Sequence, residues 1–286
     1  MKKQLVFLIS LCLLLTGCNI REPAQIAATT LPVFEFTSAL CQGTDLTVTQ
    51  LVTEEVSCLH DYTLKVSQMR IVESSEVVVC SGAGLETFLV DVLMNAKQVI
   101  DASVDIPLTC SDKHEHEGHS HTHDPHIWLS PENAKIMCKT ICSELSILYP
   151  EFKLKFETNL EALLQRLDAL QDYGKKQLQD LSCRELITFH DGFSYFADSF
   201  DLHILKAVEE ESGSEASAHE LVELIDLINK NRLPAIFTET NGSTAAATVI
   251  AAETGAKVYT LDMAMSGERY FEAMYRNINT IKEALG

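Results

Sequence analysis

Between Phe156 and Leu181 the chain carries Leu160, Leu163, Leu164, Leu167, Leu170 and Leu178 at helical spacing, and short βα units resume directly after it. At about 1.5 Å per residue, a helix of about 30 residues spans roughly 40 Å, the width of a whole lobe. A helix this long could be half of a coiled coil, but its charges are scattered and folded sequence flanks it on both sides. It is therefore read as an internal strut. Before it, Ile26–Thr30, Leu46–Val52, Glu76–Cys80 and Gln98–Asp101 read as strands, and Phe34–Cys41, Tyr62–Glu73, Glu86–Asn95 and Pro131–Leu148 as helices. After it, Leu186–Phe189, His203–Val208, Ala235–Thr238 and Lys257–Leu261 read as strands, and Gly192–Phe200, Ala218–Asn231, Ser243–Glu253 and Glu268–Leu285 as helices. The alternation predicts an α/β fold of two lobes, each a mostly parallel sheet flanked by helices, joined by one long rigid helix. The expected divisions are a first lobe over residues 26–150, a linking helix over 151–182 and a second lobe over 183–286.

The chain opens with Lys2-Lys3, an apolar run from Leu5 to Leu15, and then Thr16-Gly17-Cys18. Residues 1–17 read as a secretory signal, too short for a membrane span. Leu15-Thr16-Gly17-Cys18 resembles the bacterial lipobox, which implies cleavage before Cys18, lipidation of its thiol, and residues 18–25 as a short leash. Such a protein sits outside the cell membrane, anchored in the bilayer by its acyl chains. Removing residues 1–17 takes away two lysines and no acid, which moves the formal net charge from −19 to −21. Such a chain repels nucleic acid and attracts cations. Of the remaining cysteines, Cys41, Cys58, Cys80, Cys110, Cys138, Cys142 and Cys183, none forms a C-x-x-C pair, which argues against a cysteine zinc site.

Six of the ten histidines lie between His114 and His126. His114, His116, His119, His121 and His123 are interleaved with Glu, Gly, Ser and Thr and lack apolar periodicity. They read as a solvated loop over residues 112–124, an antenna that collects metal. The H-E-x-x-H pattern of zinc proteases is missing, because neither His114-Glu115 nor His116-Glu117 has a histidine three residues after its glutamate. His126 differs from these five. It follows Asp124-Pro125 and precedes Ile127-Trp128-Leu129, and Ser130-Pro131 then caps and opens a helix, so its position is fixed.

Three strands of the second lobe run into potential ligands: His190, Glu239 and Asp262. In open α/β sheets, ligand sites lie at the carboxyl ends of the strands, so these three side chains are expected on one rim. His60 and His126 are expected on the facing rim of the first lobe. Two imidazoles from one lobe, with an imidazole and a carboxylate from the other, complete a tetrahedron suited to zinc. A filled shell serves binding and release, not turnover. His203 begins a strand, at the end away from the rim, and His219 starts a helix; both read as structural or solvated. Gly82-Ala83-Gly84 has no third spaced glycine and reads as a tight turn, not a dinucleotide site.

The segments Asp124-Pro-His-Ile-Trp-Leu-Ser-Pro, Phe189-His-Asp-Gly-Phe-Ser-Tyr-Phe, Ile236-Phe-Thr-Glu-Thr, and Leu261-Asp262 followed by Tyr270 and Asn277, together resemble the metal-binding lipoproteins of bacterial ABC importers for zinc and manganese. The resemblance implies a monomeric receptor, not an enzyme, that buries its metal between two lobes and delivers it to a membrane permease. It implies His60, His126, His190 and Asp262 as ligands and Glu239 as an acid beside them. His190 at the third position and the histidine-rich loop favour Zn²⁺ as cargo, with Mn²⁺ or iron as the alternative. Ser57-Cys58-Leu59 stands before His60 where the family often has Asp-Pro. Other classes weighed are a surface metallohydrolase with Glu239 as general base, and an adhesin, which no feature of the chain favours over transport.

Overall fold

The apolar run Gln25–Ala28 forms β1, the first strand of the computed structural model, which describes residues 25–54, 56, 59, 62–108, 123–209, 217–240, 242, 244–265, 267 and 269–286. The expected signal, leash and lipid-anchor residue Cys18 lie outside the described residues. α1 (Leu31–Leu40) follows, with Pro32 in its first turn, where the missing N–H costs nothing. Then come β2 (Thr47–Gln50), α2 (Val66–Ser74), β3 (Val77–Cys80), a 3-10 turn over Thr87–Leu89 that leads into the short α3 (Val90–Leu93), and β4 (Val99–Asp101). The strands pair in parallel in the order β2-β1-β3-β4. β3 is Val-Val-Val-Cys and is buried on both faces, as an inner parallel strand must be. β2, Thr-Val-Thr-Gln, is half exposed at the edge.

α4 (Pro131–Leu148) starts where Ser130 Oγ accepts the Asn133 N–H at 3.4 Å. α5 (Lys153–Gln177) is the predicted strut. The second lobe repeats the pattern with β5 (Glu185–His190), α6 (Ser194–Ser199), β6 (His203–Glu209), α7 (Ala218–Asn231), β7 (Ala235–Glu239), α8 (Ala245–Thr254), β8 (Lys257–Leu261) and α9 (Tyr270–Leu285). Its sheet runs β6-β5-β7-β8, again parallel. Among the described residues no helix is long and apolar enough to cross a membrane.

Because side chains alternate along a strand, each sheet has two apolar faces. Ile26, Ala28, Val77 and Val79 enter a core shared by both lobes, whereas Ala27, Val78 and Cys80 enter a smaller outer cluster. In the second lobe Leu186, Ala235 and Phe237 face the shared core, and Ile187, Phe189 and Ile236 face outward. The strut ties the lobes together. Phe156, Leu163, Leu167 and Leu170 are buried along one side of α5, which packs against α1, α4 and α9. At Gly174 it comes so close to Phe200 that an added Cβ would lie 2.1 Å from the ring. The strut is therefore fastened to the second lobe as well as to the first.

Cys41, Cys80, Cys138 and Cys142 are buried free thiols, and Cys183 is partly buried and also free. Burial pushes the Cys41 thiol up to about 12, so it is unreactive at neutral pH. Cys58 and Cys110 lie outside the described residues.

Gly82, Ala83 and Gly84 all have positive φ, at 85°, 54° and 85°, which makes the tight turn expected there. Glu86 closes it. Its carboxylate accepts Thr29 Oγ1 and the Ser81 N–H, both at 2.7 Å, and the Gly82 N–H at 3.1 Å. Burial nevertheless raises its carboxyl to about 7 from an ordinary 4.5, more than these three donors lower it. A raised acid favours the fold while it is protonated, so its contribution is whole below pH 4.5 and is lost as pH rises through about 7. At about 1.4 kcal/mol per unit, the loss amounts to about 3 kcal/mol. Urea unfolding at pH 5 and pH 8 is expected to show this fall in the parent and a flatter profile in Glu86→Gln. Identical pH profiles would contradict it.

Candidate metal centre

The segment before α4 fixes His126 from two sides. Asp124 Oδ1 accepts the His126 N–H at 2.9 Å and meets its ring Nδ1 at 2.8 Å. Burial alone would raise the Asp124 carboxyl, but its hydrogen bonds with the His126 ring and the His126 N–H hold it below its ordinary range. With a carboxylate on Nδ1, the ring proton sits there and the Nε2 lone pair is free to face an ion. Past His126 the chain makes a 3-10 turn over Ile127–Leu129. There Trp128 is fully buried, and its indole N–H donates to the Met263 carbonyl at 2.7 Å. Tyr270 returns the link by donating its hydroxyl to the Trp128 carbonyl at 2.8 Å. The first-lobe segment that carries His126 is thus bonded to the second-lobe residue next to Asp262.

His190 is the last residue of β5 and Glu239 the last of β7, and both are buried. His190 Nε2 lies 3.3 Å from His126 Nε2, with the rings edge to face at 85° and 5.1 Å between centroids. Two nitrogens bound to one tetrahedral ion at about 2.0–2.1 Å stand roughly 3.3 Å apart, so the pair is spaced as two ligands of one zinc would be. Behind it, His190 Nδ1 lies 3.8 Å from Glu239 Oε2. Gly192 leaves room for both rings. A Cβ there would fall 2.7 Å from His190 Cδ2, 2.7 Å from Met263 Cε and 2.9 Å from His126 Nδ1.

Asp262 follows β8 and is held by α9. Its N–H donates to Asn277 Oδ1 at 2.8 Å, and its carbonyl accepts Asn277 Nδ2 at 2.7 Å. One carboxylate oxygen accepts the Ala264 N–H at 2.7 Å, and the other pairs with Arg276 Nη2 at 2.5 Å. Among the described residues, no three His, Cys, Asp or Glu side chains form a group set out to hold an ion. The predicted residues are thus brought together as a histidine pair, with Glu239 behind it and Asp262 turned to Arg276. His60 lies outside the described residues, as do His114, His116, His119 and His121, while its neighbour Leu59 is buried in the shared core. His123, the last histidine of the predicted antenna, is partly buried. His203 starts β6, at the end away from the rim as expected, and His219 is exposed beside Glu223.

Sequence reasoning gave no role to Asp124, Gly192 or Arg276. The spacing of Asp124 was a usable signal, since an Asp side chain commonly bonds the backbone N–H two residues on. The pairing of Arg276 with a residue 14 positions away follows no periodicity.

A family model described as ZnuA, "Zinc-uptake complex component A periplasmic", matches residues 26–284. The zinc-binding lipoprotein AdcA of Streptococcus pneumoniae is 30% identical over 307 residues, which cover 99% of this chain and 61% of AdcA, so the chain spans less than two thirds of that relative. A crystal structure of ZnuA superposes with a TM-score of 0.81 at 31% identity, over 92% of this chain and all of that one. The Zn(II)-bound ZnuA-like domain of S. pneumoniae AdcA gives 0.77 at 27% identity, over 92% and 99%. With one family model spanning both lobes and the fold shared end to end with a solved member, this chain belongs to the ZnuA family of zinc-uptake components.

Proposed function

We propose that the protein is an extracytoplasmic receptor that binds Zn²⁺ between its lobes and delivers it to the permease of an ABC importer. The observation that carries this is the buried His126–His190 pair, 3.3 Å apart at Nε2 and backed by Asp124 and Glu239. His126 and His190 supply two nitrogens, His60 the third and Asp262 an oxygen. Asp124 and Glu239 orient the two rings, as outer carboxylates do around zinc-bound histidines. Zinc as cargo agrees with the zinc-binding name of AdcA and with its zinc-bound domain. Manganese is the second reading, favoured by FpvC of Pseudomonas aeruginosa, solved with Mn²⁺ and 25% identical with a TM-score of 0.79. Competition titration separates the two metals.

In this reading Cys18 carries the lipid anchor, the protein acts as a monomer outside the membrane, and the five loop histidines collect zinc without forming the tight site. Deleting residues 114–123 is therefore expected to leave one tightly held zinc per chain, as measured by elemental analysis after dialysis against a weak chelator. Loss of that one zinc would show that the loop is part of the site.

A further inference from the structure

We infer that Glu35, through a clasp between the lobes at the starts of α1 and α9, slows release of the bound ion; this rests on the reading that the ion lies between the lobes. A helix leaves its first N–H groups without partners inside itself. α1 is preceded by Thr30 and α9 by Arg269, and neither side chain caps its own helix. Each helix is completed by the other lobe instead. The Leu31 N–H, first of α1, donates to the Met265 carbonyl at 3.3 Å, and the Tyr270 N–H, first of α9, donates to Glu35 Oε1 at 3.3 Å. A carboxylate suits that place, because a helix N-terminus carries partial positive charge. Arg269 Nε lies 3.6 Å from the same oxygen. The Glu35 side chain is only 12% exposed, and burial raises its carboxyl although Arg269, the Tyr270 N–H and Arg166 act to lower it.

The clasp bears on the ion through the chain between its two ends. Met263 to Tyr270 joins β8 to α9 directly after Asp262. It bends at Ala264 and Gly267, whose φ values of 51° and 79° are left-handed, and alanine adopts that region only at a cost. Bonds to the first lobe hold this shape. The Met263 carbonyl takes the Trp128 indole N–H, the Met265 carbonyl takes the Leu31 N–H, and Tyr270 stands edge to face on Phe36 of α1 at 4.9 Å. Parting the lobes, with His126 on one and His190 on the other, strains all of these links together. Glu35 brings a charge to the clasp, and a hydrogen bond to a charged group is worth more than a neutral one. It acts through α9 and is a positioning residue.

The test uses the purified full chain, loaded with zinc, as parent, Glu35→Ala, Glu35→Gln and the His126→Ala/His190→Ala double variant. Zinc release to a chromogenic chelator is followed by stopped flow. Trp128, the chain's single tryptophan, reports the clasp through acrylamide quenching of its fluorescence without zinc. Glu35→Ala is expected to release zinc about tenfold faster than the parent, the scale of one lost hydrogen bond to a charged group, with association little changed. Its Trp128 should be quenched more readily. Glu35→Gln, which keeps an acceptor for the Tyr270 N–H but no charge, falls between. A merely structural role would lower the melting temperature and leave the release rate alone. Parent-like release from Glu35→Ala would overturn the inference, as would faster release with unchanged quenching; if that variant does not melt cooperatively, parent-like release from Glu35→Gln would do so. The double variant separates the two readings. Should zinc leave the parent as fast as it leaves that variant, the site between the lobes is itself wrong and the inference falls with it.

Discussion

Replacing His126 and His190 together by alanine is expected to abolish tight zinc binding while the protein still folds. Removing one outer partner of a metal ligand costs roughly 10–100-fold in affinity, and losing two direct nitrogens exceeds that range. The fold should survive because both side chains point into the crevice between the lobes. Links such as Trp128 to Met263 and Tyr270 to Trp128 use other atoms and remain. A ligand that binds only the native state stabilises it in proportion to the logarithm of its concentration over Kd. Zinc should therefore raise the melting temperature of the parent and leave that of the double variant unmoved. An equal zinc-induced rise in both would remove the pair from the site.

Gly192→Ala is expected to cause the next largest loss, although it deletes no ligand. The new Cβ would meet ring atoms of both histidines, 2.7 Å from His190 Cδ2 and 2.9 Å from His126 Nδ1. Met263 Cε, also at 2.7 Å, is the end of a flexible chain and can swing aside. The rings cannot do so as readily: Asp124 holds one, and the other stands at the end of β5 with Glu239 behind it. The methyl group must spread the pair, and metal geometry tolerates little spreading. Affinity should fall about 10–100-fold, the cost of disturbing the groups that orient a ligand. The melting temperature without zinc should move little by comparison. Unchanged zinc affinity would mean that the pair is free to re-form elsewhere.

Much of the architecture was legible because it is local. Ser130 and Pro131 mark the start of α4 and Pro150 lies just past its end, so its predicted and observed bounds coincide at Pro131–Leu148. β8 likewise runs over Lys257–Leu261 as read, and α7 over Ala218–Asn231, where Ser217 and Glu220 form a capping box. The helix expected over Glu86–Asn95 is instead a 3-10 turn followed by one short helical segment. The reason lies in Glu86, whose carboxylate is drawn back to Thr29, Ser81 and Gly82 and whose backbone is not helical. α1 starts three residues before the expected Phe34, because Pro32 suits a first turn better than periodicity alone indicates.

The site was legible as a rim and not as a geometry. His190 and Glu239 end neighbouring strands and Asp262 follows the next, so all three stand at one edge of the second sheet. What the side chains do there depends on partners far away in sequence. Trp128 and Met263 are 135 positions apart and His126 and His190 are 64 apart, and no local pattern encodes such pairs. The carboxylate of Asp262 is the clearest case. Its place was predictable, but its engagement with Arg276 becomes visible only once α9 packs beside β8.

Crystals grown with one equivalent of zinc, with anomalous data collected on both sides of the zinc edge, test the central claim most directly. A single strong peak within bonding distance of Nε2 of both His126 and His190 is the predicted result. A principal peak anywhere else, with those two nitrogens still facing each other unbridged, would contradict it.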